Sequence, residues 1–218
     1  MKIRTTYELD KSIDHDIAWR KREFTTIKFM ILEARDHEKK ILLRAAITLL
    51  YSHWEGHIKH CALVYLNYLN CLGLKYGQMK ENFLLLSLTN EFSSGFSIKK
   101  FSSQKKLHEY FKASNSINFS INEQEIVDTG SNLKYPVVSN ILDQLGLDAK
   151  LYELKEHFID SKLLRCRNAI AHGDIISSQE IEDTYAEIES ELLTMIQSFQ
   201  NAIRTAVDNK EYLKITPA

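Results

Sequence analysis

Three side chains in one short segment, Arg167, Asn168 and His172, are of types that handle protons and anions. Histidine in model peptides titrates at about pH 6.5, so it exchanges protons near neutrality. Arginine stays charged and offers a planar fork of donors that matches anionic oxygens, while an asparagine amide can donate or accept. The segment Leu163–Gly173 reads LLRCRNAIAHG and is a candidate site for proton transfer beside a bound anion.

Helical spacing divides this segment into two faces. At about 100° per residue, Arg165, Asn168 and His172 fall on the side opposite an apolar stripe that should face the core. The stripe consists of Ile159, Leu163, Cys166 and Ile170. Arg167 lies at its edge, where a buried guanidinium needs a carboxylate or several hydrogen-bond acceptors. The structural alternative is that His172 and Gly173 only end a helix, with the cations stabilising the negative end of its dipole.

A second constellation is His53, His57 and Cys61, which recur every four residues and so share one helical face. Imidazole and thiolate bind zinc, so this face is a candidate metal site. The order His53-x-Glu55-x-His57 differs from the metalloprotease motif, in which Glu directly follows the first His. The sequence supplies no second Cys/His cluster with a fourth ligand. We therefore predict no metal, and assign these histidines to an interhelical or dimer surface.

A third feature is a run of lysines and aromatic residues from Phe96 to Lys112, in which Glu109 is the one acidic residue. By contrast, residues 179–191 contain six acidic side chains and neither Lys nor Arg. Lysines neutralise phosphates and aromatic rings stack on unpaired bases, so this run is a candidate RNA-binding surface. A solvated insertion, anchored to the core by its aromatic residues, explains the pattern equally well.

Apolar residues at helical spacing predict the elements that position these side chains. The predicted helices cover residues 12–35, 41–73, 78–91, 133–146 and 148–173. Ser177-Ser-Gln-Glu180 is a capping box that opens a last amphipathic helix. Residues 93–132 are rich in Ser and Asn, with a short helical stretch and alternation typical of a small strand at 117–121. We predict a single all-α domain over residues 1–218, a bundle of four to five main helices with an irregular insertion at 93–132.

Composition limits the class of protein. The chain has 218 residues, 28 Lys+Arg, 29 Asp+Glu and a formal net charge of −1, which excludes a globally basic nucleic-acid binder. Three cysteines in apolar helical stretches fit reduced thiols. The sequence has no apolar segment suited to a membrane span or a signal peptide, so we expect a cytoplasmic protein without a membrane partner. Glycine-rich phosphate-binding and dinucleotide-binding motifs are absent from the sequence, so no cofactor is expected.

The segment Arg167-Asn-Ala-Ile-Ala-His172 resembles the Arg-x4-His form of the signature of the HEPN superfamily. This superfamily comprises helical domains of prokaryotic toxins, defence systems and RNA-processing nucleases, and Asn directly after the Arg is typical of its ribonucleases. The context is also similar to stand-alone bacterial HEPN proteins. It includes Asn132-Leu133, the Leu145-Gly-Leu147 step and a Trp54-Glu55 pair on a long early helix.

This resemblance implies a metal-independent endoribonuclease, active as a homodimer whose two signature helices meet to build one composite site. His172 would be the general acid or base, Arg167 would bind the phosphate, and Asn168 would orient the histidine or bind a phosphate oxygen. General chemistry agrees, because metal-free RNA cleavage needs a group that moves the 2′-hydroxyl proton and a cation over the phosphorane. A toxin or defence effector, with RNA as substrate and an antitoxin or inhibitor protein as partner, is also implied.

Two further residues refine this expectation. Glu55 is our candidate for the buried carboxylate that holds Arg167 in place, with an ordinary structural glutamate as the alternative. Asp174 stands where toxins controlled by a nucleotidyltransferase typically carry a tyrosine, so regulation by tyrosine adenylylation is not expected. The alternative function is a non-catalytic HEPN-like module that binds RNA, a nucleotide or a partner protein.

Overall fold

A computed structural model describes residues 2–92, 96–130 and 132–214. Within these ranges the chain forms eight α-helices and no strand, so the predicted all-α fold is confirmed. The helices are α1 (Thr6–Glu33), α2 (Asp36–Cys71), α3 (Glu81–Glu91), α4 (Phe101–Ser114), α5 (Glu123–Ile126), α6 (Tyr135–Gln144), α7 (Arg165–Ala171) and α8 (Ser178–Asp208). Across the described ranges, none of these helices has the length and apolar character needed to cross a bilayer.

Helices α1 and α2 form a long antiparallel hairpin. Thr5 caps α1, because its hydroxyl accepts from the Glu8 backbone N–H at 3.1 Å and the Glu8 carboxylate accepts from the Thr5 N–H. The helix therefore begins six residues before the predicted start at Ser12. Helix α2 has 36 residues, a length of about 54 Å, and packs against α1, α7 and α8. Its side chains Trp54, Ile58 and Tyr65 are fully buried, so α2 is the central element of the bundle.

Helix α8 carries the acidic stretch. Ser177 caps it by accepting from the Glu180 N–H at 3.2 Å, but the Glu180 carboxylate pairs with Arg165 instead of closing the capping box. Other acidic side chains pair with lysines on neighbouring elements. These pairs are Glu182 with Lys39, Glu187 with Lys162, Glu189 with Lys28 and Glu191 with Lys155. The acidic stretch is therefore largely neutralised within the protein.

The prediction of one continuous helix over residues 148–173 is wrong. This region contains a 3₁₀ turn at Glu153–Lys155, a π-helical segment at Phe158–Leu164 and then α7. Leu154, an apolar residue of the predicted helix, is 97% exposed. The i→i+5 hydrogen bonds of a π-helix widen the turn and redirect side chains relative to a straight α-helix. Ile159, Leu163 and Cys166 are buried as expected.

Residues 96–130 contain α4 and α5 joined by extended chain. The strand expected at 117–121 is a single antiparallel bridge between Lys75 and Asn118, with the Phe119 N–H donating to the Leu74 carbonyl at 2.7 Å. The extended chain lies beside a helix end and, among the described residues, has no second strand to pair with. The alternating pattern therefore reflects a segment that is buried on one side only, without a sheet. Ser93 lies outside the described residues, and the insertion over 93–132 stays a prediction.

A polar cluster is buried between α1 and α2. Arg20 donates to both carboxylate oxygens of Asp16, at 2.8 and 3.0 Å, and its guanidinium lies against Gly56, where a Cβ atom would approach it to 3.0 Å. His57 donates from Nδ1 to Asp16. Burial by itself raises the pKa of Asp16, but the hydrogen bonds from His57 and Arg20 outweigh it and hold that pKa well below its usual range. Asp16 is therefore an ionised hub of the α1–α2 interface.

Replacing Asp16 tests this hub. We expect Asp16→Asn to lower the free energy of unfolding by about 3–5 kcal/mol, because it leaves the buried Arg20 charge uncompensated. Urea unfolding at pH 7 measures the change. Asp14→Asn is the matched control: its exposed carboxylate pairs with Arg204, and we expect a loss of at most about 1 kcal/mol. Equal losses in the two variants would contradict the special role of Asp16.

Candidate functional site

Helix α7 and its C-terminal turn position the signature residues. His172 is the C-terminal cap and its backbone N–H donates to the Asn168 carbonyl at 2.9 Å. Gly173 has φ +80°, a left-handed conformation that favours glycine. The Asp174 N–H donates to the Ala169 carbonyl at 2.9 Å, and Arg44 of α2 donates to the Asp174 carbonyl at 3.2 Å. The helix therefore ends in a closed Schellman turn that fixes the backbone at His172.

Arg167 is half-buried and held by neutral groups. Its Nη1 donates to the side-chain oxygens of Asn132 at 2.9 Å and of Asn168 at 2.6 Å. Its guanidinium carbon lies 4.3 Å from the centre of the Tyr51 ring, in a cation–π contact. In the part of the chain that the structure describes, Arg167 forms no ion pair with a carboxylate. Its positive charge is oriented but not neutralised.

The expected ion pair between Glu55 and Arg167 is not formed. Glu55 accepts a hydrogen bond from the Thr129 hydroxyl at 2.8 Å and lies beside Tyr51, one turn earlier on α2. Glu55 therefore contacts Thr129 and the neighbourhood of Tyr51, whereas the Tyr51 ring is the α2 side chain against the Arg167 guanidinium. Burial raises the pKa of Tyr51 to about 12, and the Glu55 carboxylate adds to the rise. Tyr51 is thus a neutral phenol whose oxygen accepts from the buried Leu133 N–H at 2.7 Å.

His172 and Asn168 complete the site. The His172 side chain is exposed at the end of α7, so solvent and ligands can reach it. The Asn168 side-chain oxygen is used by Arg167, which leaves its amide N–H₂ as the available donor. Asn168 therefore contacts both other site residues. Its side-chain oxygen accepts from Arg167, and its backbone carbonyl accepts from the N–H of His172. The arrangement offers a proton-exchanging group and a fixed cation on one short helix.

Arg165, the other cation on this face, is used structurally. Its guanidinium donates to Glu180 at 2.8 Å and to the Ser161 carbonyl at 3.1 Å. Arg20, Arg35 and Arg204 also pair with carboxylates. Arg167 differs from these four because all its described partners are uncharged.

Tyr51 is a site residue that the sequence pattern does not indicate, and Asn132 enters the prediction only through the family resemblance. Both come from elements remote in sequence, α2 and the segment before α6. The spacing Tyr51-x₃-Glu55 places the two side chains on one helical face, which was the one available signal. It could not reveal that Arg167 packs on that tyrosine.

The candidate metal ligands are bonded to protein groups instead. His57 accepts at Nε2 from the Cys61 thiol, 3.2 Å away, because ionised Asp16 fixes the proton on Nδ1. Burial raises the pKa of Cys61, so it stays a thiol. His53 contacts Arg20 at 3.3 Å. Among the described residues no group of three or more His, Cys, Asp or Glu has the arrangement of a metal site. These histidines line the α1–α2 interface.

The comparisons with known proteins agree with the signature. The model of the RiboL-PSP-HEPN family matches residues 15–209 of the chain. The protein therefore belongs to this HEPN family, and membership of the HEPN superfamily is confirmed. No curated protein and no solved structure matches the chain. The matched range contains all of α2 and α7, which carry Tyr51 and Arg167, and the cap residue His172.

Removing the Tyr51 hydroxyl tests the contact that positions the segment before α6. We expect Tyr51→Phe to keep the ring under Arg167 but leave the buried Leu133 N–H unpaired, which costs about 1–3 kcal/mol. Urea unfolding measures this loss. Tyr7→Phe is the control, because Tyr7 is 71% exposed and its hydroxyl should contribute nothing measurable. A Tyr51→Phe variant as stable as the parent protein would refute the assigned hydrogen bond.

Proposed function

We propose that this protein is an endoribonuclease that cleaves RNA through attack of a 2′-hydroxyl on the adjacent phosphate, without a metal ion. The observation that carries the proposal is the set of uncharged contacts that hold Arg167. An arginine held by two amide oxygens and an aromatic ring is rigid yet keeps its full charge for an anionic ligand. An arginine with a purely structural role is better stabilised by a carboxylate, as Arg20 is by Asp16.

Each site residue has a role in this chemistry. Arg167 binds the non-bridging oxygens of the scissile phosphate and stabilises the charge that develops on the phosphorane. The Asn168 amide donates a further hydrogen bond to the same oxygens. His172 removes the 2′-hydroxyl proton or protonates the leaving 5′-oxygen. The products are a 2′,3′-cyclic phosphate and a free 5′-hydroxyl.

The reaction uses both an acid and a base, and the proposed site has a single histidine, His172, in each chain; a second copy of the chain would supply the other group. We therefore place the reaction in a homodimer whose two α7 helices meet and contribute one His172 each. The exposed surface at this end of α7 supports that arrangement: His172 is exposed and Ile175, three residues later, is 99% exposed. This end of α7 is therefore accessible to a second copy of the chain.

In the cell this activity suits a toxin or defence effector that acts on cellular RNA and is restrained by an antitoxin or inhibitor protein. Residue 174 is an aspartate, which has no hydroxyl to accept an adenylyl group. An inhibitor would therefore act by binding and not by adenylylation at this position. The alternative, a non-catalytic HEPN module that binds RNA, a nucleotide or a partner protein, differs in one measurable respect. It leaves RNA intact.

The direct test replaces the proton-transfer group. We expect His172→Ala to reduce RNA cleavage by about 10²–10⁴-fold or more, the usual contribution of general acid–base catalysis, while the chain stays folded and dimeric. Cleavage of a labelled RNA by the purified protein, with and without EDTA, measures the rate. Analysis of the products detects the 2′,3′-cyclic phosphate ends, and sedimentation measures the mass in solution.

Arg165→Ala is the matched control, because it removes a cation two residues from Arg167 that is already paired with Glu180. We expect its cleavage rate to lie within about twofold of the parent rate, whereas Arg167→Ala should lose about 10²–10³-fold. Full activity of the purified His172→Ala protein would eliminate the proposed mechanism. RNA that stays intact with the parent protein would favour the binding module.

A further inference from the structure

The lysines in α4 and just before it form a basic surface that no other part of the described chain neutralises. Residues 96–118 contain five lysines and one glutamate, whereas the whole chain has a net charge of −1. The lysines are Lys99, Lys100, Lys105, Lys106 and Lys112. In the described ranges none of them pairs with a carboxylate, although the acidic stretch of α8 is bonded to lysines from other elements. The basic run at 96–118 and the acidic stretch of α8 therefore form no ion pairs with each other in the described ranges.

One exposed face of α4 carries two of these lysines, Lys105 and Lys112, in line with an aromatic ring and a histidine. Phe101, Lys105, His108 and Lys112 recur at intervals of four, three and four residues, so they share one face and span roughly 16 Å. All four are exposed, and Lys105 Nζ lies 4.9 Å from the centre of the Phe101 ring. We call these four residues the α4 stripe.

The opposite face of α4 anchors it to the bundle. Ser103 and Ser114 are buried, and the Tyr110 hydroxyl donates to the Ser87 hydroxyl of α3 at 2.7 Å. The aromatic residue Tyr110 therefore serves packing, whereas Phe101 is 69% exposed and serves none. The sequence left two roles open for the aromatic residues of this run, anchoring to the core and contact with a ligand. Tyr110 has the first role, and Phe101 is free for the second.

Helix stability does not explain where the lysines lie. Lys100 is the N-terminal cap of α4, it forms no capping hydrogen bond, and the first turn holds no acidic residue. Cations at this end oppose the helix dipole, which favours anions there. A phosphate bound beside Lys99 and Lys100 would reverse that unfavourable interaction. The arrangement thus favours an anionic partner.

We propose that the α4 stripe binds single-stranded RNA, with the lysines on its phosphates and the exposed Phe101 ring stacked on a base. The combination of unpaired lysines and an exposed aromatic ring matches the two contacts by which proteins hold unpaired nucleic acid. This inference rests on the proposed ribonuclease function and adds a docking surface for its substrate.

The docking surface lies at the end of α2 remote from the cleavage site. The C-terminal end of α4 is followed by the bridge between Lys75 and Asn118, just beyond the end of α2 at Cys71. Tyr51, which lies under Arg167, is twenty residues earlier on α2, or about 30 Å along the helix axis. A long RNA can reach both places, whereas a very short one cannot.

The first experiment measures binding in a His172→Ala background, so that cleavage does not interfere. Fluorescence anisotropy with a single-stranded RNA of about twenty nucleotides is recorded at several salt concentrations. We expect Lys105→Gln/Lys112→Gln to weaken binding about tenfold, and the slope of log K against log salt to fall by about 1.4, the value for two lost phosphate contacts. Phe101→Ala should weaken binding about fivefold or more through lost stacking.

Lys11→Gln/Lys21→Gln is the matched control. It removes the same charge from two exposed lysines of α1 that form no ion pair in the described structure, and we expect affinity within about twofold of the parent. Equal losses in both double variants, or no loss in the α4 variant, would overturn the docking surface. So would unchanged RNA affinity with lost binding to vesicles of anionic lipid, which would mark a membrane contact.

Cleavage separates this inference from the proposed function. In the catalytically intact chain, the α4 double variant should raise KM about tenfold for the long RNA with kcat unchanged, and cleave an RNA of about four nucleotides like the parent. If the parent cleaves nothing while the α4 variant loses binding, the ribonuclease proposal fails and the docking surface stands. If cleavage of long RNA is unaffected, the docking surface is refuted and the ribonuclease proposal stands.

Discussion

The arrangement of the candidate site depends on how one half-buried guanidinium is satisfied without a carboxylate. Arg167 donates to Asn132 and Asn168 and lies on the ring of Tyr51. A carboxylate partner would stabilise the buried cation more strongly, but would also cancel the charge that an anionic ligand needs. Neutral partners give up some stability and leave the charge available. The same contacts tie together α2, α7 and the segment before α6, so folding and site assembly use one set of interactions.

Helix α2 makes this possible because it packs against α1, α5, α7 and α8. One face holds the ionised Asp16 hub through His57, another supports Arg167 through Tyr51, and its C-terminal end lies near the basic α4 region. A helix of about 54 Å can carry three chemically distinct surfaces without interference between them. The buried charges at the α1–α2 interface are fully compensated, whereas the charges of Arg167 and α4 are left for partners. That difference separates the cations that are neutralised within the protein from those that are not.

Much of the fold follows from local patterns. The periodicity of α2 and α8 and the capping serine of α8 predict long helices that the structure contains, since amphipathic spacing and caps act locally. The prediction fails at residues 153–164, where 3₁₀ and π geometry replaces a straight helix. The π segment packs against α8 and α2, and a periodicity of 3.6 residues cannot register such long-range contacts. The strand predicted at 117–121 is likewise a single bridge, because alternation along the sequence cannot show whether a second strand is available for pairing.

The sequence by itself determined the helical class, the family signature and the identity of Arg167, Asn168 and His172 as the chemically able residues, because each depends on residue type and short spacing. Only the tertiary structure decided their surroundings. It replaced the expected Glu55 partner by Tyr51 and Asn132, assigned His53, His57 and Cys61 to a buried interface, and left the α4 lysines unpaired. These outcomes depend on which distant segments meet, and contacts of that kind are set by the packing of the whole chain.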